Sequence, residues 1–312
     1  MTAVLEQDPA AGAARTRRTV NDREKTAARL LASSSKNSFD PELDIDWAAP
    51  DVPGLPLMPL HRTTLHGTAL WDRMSEEQRL ELAKHQIISV ARVGLWFEVL
   101  LMGMLTNHAY NLDPASLHTQ YALTEVGDET RHSVMFARFA QRYGGTSYRP
   151  DRLTHELGKL FRVLAPTGPS MWAATLVAEE LLDRIQREGM HDEGLQPISR
   201  MVSRIHVIEE ARHVRFAREE LLRCVEETSK PARAFHAQLA ALAALHIVES
   251  LVHPDVYAAA GLDPDEAVAV ARHNPVWHDT IRWMGEKIMP FLSDAGMVTP
   301  TSRRIYQRAH LL

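Results

Sequence analysis

Residues 206–213 read His206-Val-Ile-Glu-Glu-Ala-Arg-His213, and residues 128–132 read Asp128-Glu-Thr-Arg-His132. Each stretch contains a Glu-x-x-His element, Glu210/His213 in one and Glu129/His132 in the other. Side chains three apart on a helix share a face, so each element can aim a carboxylate and an imidazole in one direction. One such element is a weak signal. A third copy, Glu188-Gly-Met-His191, is set aside because Gly189 falls at an expected helix end.

The surroundings strengthen the pair. Glu98 lies 31 residues before Glu129, and Glu179 lies 31 residues before Glu210. Equal spacing is what two equivalent helical hairpins produce, each giving one glutamate from its first helix and a Glu-x-x-His from its second. The match selects Glu179 over its neighbour Glu180. Glu98 sits between Leu95-Trp-Phe97 and Val99-Leu-Leu-Met102. A carboxylate in such a setting faces the core and needs a cation, because an unpaired buried charge is costly. Four glutamates balance two divalent ions. His206, four before Glu210 and seven before His213, joins the same stripe as a third imidazole. Mixed carboxylate and imidazole donors without thiolate suit two iron ions, or iron with manganese.

The rest of the chain fits that core. Helices are expected at about 75–108, 113–142, 170–188 and 197–228. Ser75 with Gln78 forms a capping box, Asp113-Pro114 opens the second helix, and Gly144-Gly145 stops it. A short helix around 155–163 and the breakers Pro166, Gly168 and Pro169 fill the crossover. Further helices are expected near 232–252, 263–272 and 275–291. Residues 1–60 read as a polar leader, disordered at first and then a strap, and 61–312 as one domain. The fold expected is all-α: a ferritin-like four-helix bundle with additional C-terminal helices.

Composition narrows the function. The net charge is −5 with Lys and Arg scattered, so no nucleic-acid stripe is present. Cys224 is the only cysteine, which excludes an internal disulfide and a thiolate metal cage. The apolar run from Leu95 is short and carries Glu98, and no signal-peptide core opens the chain; a cytoplasmic protein without a membrane span is expected.

The chain resembles the di-iron N-oxygenases related to the aminobenzoate N-oxygenase of aureothin biosynthesis, with the chloramphenicol-pathway arylamine oxygenase as a cousin. The resemblance runs through Asp44-Ile-Asp-Trp47, Leu65-His-Gly-Thr-Ala-Leu-Trp-Asp72, Ser75-Glu-Glu-Gln-Arg79, Asp128–His132 and His206–His213. It implies metal ligands at Glu98, Glu129, His132, Glu179, His206, Glu210 and His213, the seven that spacing selects. It also implies a homodimer and a monooxygenase that uses O2 to take an amine nitrogen to hydroxylamine, nitroso or nitro. Electrons would come from an external reductase or small reductant, since no flavin or nicotinamide fingerprint is present. Members acting on aminobenzoate hold its carboxylate with an arginine just before the first glutamate. Here Arg92 falls off the face of Glu98, which argues against aminobenzoate itself. Hydroxylation, desaturation or C–C cleavage on the same cluster stay open, as do iron storage and a metal-free scaffold.

Overall fold

The computed structural model describes residues 22–144, 148–164 and 167–312. Among these residues the regular structure is helical: α1 (Arg23–Ser34), α2 (Pro41–Asp44), α3 (Ala69–Arg73), α4 (Glu76–Tyr110), α5 (Leu117–Arg142), α6 (Arg152–Leu164) and α7 (Pro169–Gly189) lead into α8 (Pro197–Glu227). There follow α9 (Lys230–Ser250), α10 (Asp255–Ala259), α11 (Pro264–Arg272), α12 (Pro275–Met284), α13 (Ile288–Asp294) and α14 (Pro300–Arg308). Hairpins α4/α5 and α7/α8 pack against each other as the four-helix core, and α6 lies in the crossover between them. The ferritin-like reading of the sequence therefore holds.

The helix boundaries follow local chemistry. Ser75 and Gln78 form the reciprocal capping box at the start of α4. Pro169 and Pro197 occupy the first turns of α7 and α8, where a missing N–H costs nothing. α5 opens one turn later than Asp113-Pro114 suggests. Ser116 accepts the Thr119 N–H as the cap, while Asp113 closes a turn on the Ala115 N–H. The stretch expected as one helix over 275–291 is two, α12 and α13, broken at Gly285; a Cβ there would come within 2.9 Å of Leu311.

Disorder expected at the start of the chain, and the stops expected at Gly145 and Pro166, lie outside the described residues. Within the part read as a leader, α1 is a helix packed on α5 and α8. Thr26 donates to Glu219 at 2.8 Å, and Glu24 accepts the free N–H groups of Leu117 and His118 at the head of α5.

Two helical stretches, Glu76–Tyr110 and Lys230–Ala259, are long and apolar enough to cross a membrane by composition, longer than the run from Leu95 suggested. The apolar side chains of α4 largely line the bundle core: Phe97, Leu101, Met104 and Leu105 pack against α7 residues such as Trp172 and Leu176.

Candidate metal centre

The heptad-like stripes of the four core helices meet at mid-bundle. Glu98 comes from α4, Glu129 and His132 from α5, Glu179 from α7, and His206, Glu210 and His213 from α8. All seven side chains are buried, none more than 1% exposed. Ligand atoms of Glu129, His132, Glu210 and His213 lie within 4.8 Å of one another. Three further groups at the same spacing, Glu98/His132/His206, Glu179/His206/Glu210 and Glu98/Glu129/Glu179, overlap with it and draw in the rest. The structure thus brings together all seven residues singled out by spacing. Glu180 turns away and takes a two-pronged contact from Arg218. Glu188 of the third Glu-x-x-His copy pairs with Arg62 and His61 instead.

Glu129 and Glu210 are central. His132 Nδ1 is 3.0 Å from Glu129 and 3.3 Å from Glu210, and His213 Nδ1 is 2.9 Å from each. His206 Nε2 is 3.5 Å from Glu98 and 3.7 Å from Glu210.

The outer ring nitrogens settle which inner ones can ligate. His132 Nε2 faces Glu209 at 2.9 Å, and His213 Nε2 faces Asp128 at 3.2 Å. Carboxylates only accept, so those outer nitrogens carry protons; the inner Nδ1 atoms face Glu129 and Glu210 and would offer their lone pairs to cations that displaced the inner protons. His206 is held the other way round: its Nδ1 faces Gln186 Oε1 at 2.7 Å, leaving Nε2 inward. Fixing a tautomer through the far nitrogen is how metal-binding imidazoles are commonly oriented. Glu209 is itself locked by the Phe39 N–H at 3.0 Å, and Arg212 joins Asp128 at 3.2 Å to the Asn37 carbonyl at 3.0 Å. The segment before α2 therefore braces the site. Gln186 escaped the sequence reading although it lies seven residues after Glu179, on the same stripe.

Without cations the cluster is electrostatically poor. Burial, then repulsion from Glu129 and the other carboxylates, pushes Glu98 well above its usual range; burial with Glu210 and Glu129 does the same to Glu179. Burial also opposes the charges of His132 and His213, but the surrounding carboxylates outweigh it and raise both. Glu98 Oε2, Glu179 Oε1, Glu210 Oε2 and His206 Nε2 are buried with no hydrogen-bond partner. Orphaned acceptors on three helices, all within one cluster, fit divalent cations, and the oxygen–nitrogen donor set fits iron or manganese.

A second buried triad, His108, His118 and Glu220, makes the contrast. Glu220 is held by Arg23 at 2.8 Å and Arg223 at 3.0 Å, so its charge is already balanced. Burial first, with Arg23 adding, lowers His108 to about 4 and His118 to about 3, so both are neutral.

From the cluster, the same four stripes run on toward the start of α4 and line a narrow apolar slot. Gly94, Phe136, Leu182 and Val202 form its walls, with Gln186 and Ser203 as polar points. The Phe136 ring centroid is 4.9 Å from that of His206. No charged side chain lines the slot among the described residues, and Arg92 is not part of it.

The profile of the family described as p-aminobenzoate N-oxygenase AurF matches residues 20–296. Uncharacterized proteins of Mycobacterium tuberculosis and Mycobacterium bovis are 32% identical over 200 residues, covering 62% of this chain and 59% of theirs. The chain thus spans about three-fifths of the length of these curated relatives. Among solved structures, a mutant R2-like ligand-binding oxidase with aerobically reconstituted Mn/Fe cofactor aligns at TM-score 0.45 and 13% identity, over 93% of this chain and 92% of that one. A second mutant of that oxidase aligns at TM-score 0.45 and 12% identity, over 93% and 91%.

Proposed function

The chain belongs to the p-aminobenzoate N-oxygenase AurF family, and from that premise we propose that it is a two-metal oxygenase that uses O2 to oxidise an amine nitrogen to hydroxylamine, nitroso or nitro. The observation that carries this reading is the convergence of four carboxylates and three imidazoles, several with orphaned atoms, in a closed bundle. Two iron ions, or iron with manganese, would be held by Glu98, Glu129, His132, Glu179, His206, Glu210 and His213. Glu129 and Glu210 each approach both His132 and His213 and would sit at the middle of the donor set, with Glu98 and Glu179 completing it. When bound, the metal pair supplies the redox chemistry with dioxygen, and an external reductase or small reductant supplies electrons.

The chain's own residues supply geometry, dryness and proton control. Asp128, Glu209 and Gln186 hold three imidazoles in one orientation each, so little reorganisation follows a change in charge at the centre. Phe136 and Leu182 exclude water next to His206. Glu125, one turn before Glu129, holds a proton at neutral pH, because burial pushes its carboxyl up to about 8 against the pull of His213. The residues beside His206, with Gln186 and Ser203 as polar points, include no cation that could anchor a carboxylate, which supports an uncharged amine as substrate.

The test is metal analysis of fresh and iron-reconstituted protein, then mixing of the reduced protein with O2 and a panel of aryl and alkyl amines. Two metals per chain and an N-oxidised product are expected. Two metals with O2 consumption but a C-oxidised product would move the reaction to hydroxylation or desaturation. Iron uptake without turnover of any amine would reduce the protein to iron binding.

A further inference from the structure

Outside the four-helix core, residues of α9–α12 and α14 and the loops beside them line an open cavity of about 640 Å³ that none of the seven residues lines. Its floor is apolar, built from residues such as Val248, Val252 and Ile281. The polar groups at the base are satisfied, with Tyr257 Oη donating to Thr64 Oγ1 at 3.0 Å. Flat surfaces stand along the wall: Trp277, and the rings of His278 and His310 stacked at 3.6 Å with an interplanar angle of 8°.

The rim is cationic. His278 Nε2 bonds the Arg272 carbonyl at 2.9 Å, and the Arg272 guanidinium has no partner among the described residues. Arg308 reaches only Glu249, the one acidic side chain in the lining, at 3.5 Å with both groups well exposed.

His310 reinforces the reading. It is the one non-glycine residue with positive φ among the described residues, at 57°. It sits just past the end of α14, where Leu311 N–H bonds the Tyr306 carbonyl and His310 N–H bonds the Gln307 carbonyl. That paired turn ordinarily takes glycine, which adopts the conformation without steric cost. A strained histidine whose ring instead stacks over a cavity suggests that the ring has a use there.

We propose that this cavity binds a planar aromatic anion. Its ring system would lie against Trp277 and the stacked imidazoles, and its carboxylate, sulfonate or phosphate would engage Arg272 and Arg308. An unpartnered guanidinium on the rim of an apolar, aromatic-walled cavity supplies both parts of that recognition.

Anilinonaphthalene sulfonate and its uncharged counterpart, phenylnaphthylamine, are a matched pair of probes, titrated by fluorescence into the full-length metal-loaded protein. The proposal expects saturable one-site binding of the sulfonate, about tenfold or more tighter than the uncharged probe. Arg272→Ala with Arg308→Ala should weaken the sulfonate by about tenfold or more and leave the uncharged probe unchanged. His310→Gly, which relaxes the turn, should keep the thermal midpoint and still weaken the sulfonate by removing the stacked ring. Equal affinity for the two probes would overturn the proposal. So would sulfonate binding that survives both sets of variants, which would assign the probe to the apolar groove between α6 and α9 lined by Leu160 and Leu242.

Discussion

Glu125→Gln tests the electrostatics of the bundle directly. Glu125 is fully buried on the ligand face of α5, and neither carboxyl oxygen has a hydrogen-bond partner. Burial is the main reason its pKa rises from 4.5 to about 8; His213 pulls the other way, and Glu129 and Glu210 add to the rise. Between those values the folded chain keeps a proton that the unfolded chain has released. Stability therefore falls as pH rises through the window, and the whole loss is present above about pH 8. The gap between 4.5 and about 8, at about 1.4 kcal/mol per pH unit, gives about 5 kcal/mol, and about 3 kcal/mol at neutral pH.

Glutamine keeps the shape and cannot lose a proton, so the variant escapes that part of the loss. The assay is urea unfolding of chelator-treated protein from about pH 5 to about pH 9. Glu98 and Glu179 are also raised and tilt both proteins the same way, so the quantity to read is the difference between the two curves. It should open at about 1.4 kcal/mol per pH unit, with the variant the more stable at alkaline pH. Parallel curves, or a variant less stable at every pH, would refute the claim that Glu125 is held neutral.

Glu98→Ala should lower metal content below two per chain by elemental analysis; a variant that keeps both ions would remove Glu98 from the ligand set. Gln186→Leu frees the His206 ring and should weaken metal binding by about 10–100-fold in competition with a chelator, whereas unchanged affinity would make the Gln186 contact incidental. His108 and His118 have folded pKa values of about 4 and about 3 against 6.5. Their contribution to stability is present above pH 6.5 and is lost as pH falls toward about 4, by about 2 kcal/mol each near pH 5. His108→Phe should accordingly shift the acid-unfolding midpoint downward, and no shift would contradict a neutral His108. Gly158 lets α6 approach α4, since a Cβ there would meet Trp96 at 2.7 Å. Gly158→Val should speed amide exchange in α6 while leaving α5 and α8 protected, and uniform protection would show that the close approach is dispensable.

The candidate centre was legible because its information is periodic. The 31-residue spacing, the three-residue Glu-x-x-His step and the four-residue step from His206 to Glu210 all follow from helical geometry. The choice of Glu179 over Glu180 depended on that register, and the structure places Glu179 in the cluster and Glu180 on Arg218. Contacts between segments distant in the chain leave no such trace. Nothing in the polar stretch around Ser38 indicates that the Phe39 N–H will bond Glu209, 170 residues on. Gln186 lies between these cases, because its position is periodic but its neutral amide does not draw attention. The close approach of Leu311 that favours a glycine at 285 comes from a residue that no window around residues 275–291 contains.

The orienting contacts cross between the two hairpins. His132 of α5 is held by Glu209 of α8, and His213 of α8 by Asp128 of α5. Each acid directly precedes the central glutamate of its own helix, so the spacing of α5 and α8 and the orientation of both imidazoles are mechanically one variable. The brace is not symmetric. Asp128 is shared among His213, Arg131 and Arg212, whereas Glu209 serves His132 and one backbone N–H, with Arg212 farther off at 3.7 Å. A carboxylate neutralised by two guanidiniums draws less on the imidazole proton, so His213 is left the weaker donor and His132 the stronger. The His206 ring centroid lies 4.6 Å from that of His132. Two hairpins that look equivalent in sequence therefore hold their imidazoles unequally, and the inequality originates in the placement of Arg131 and Arg212.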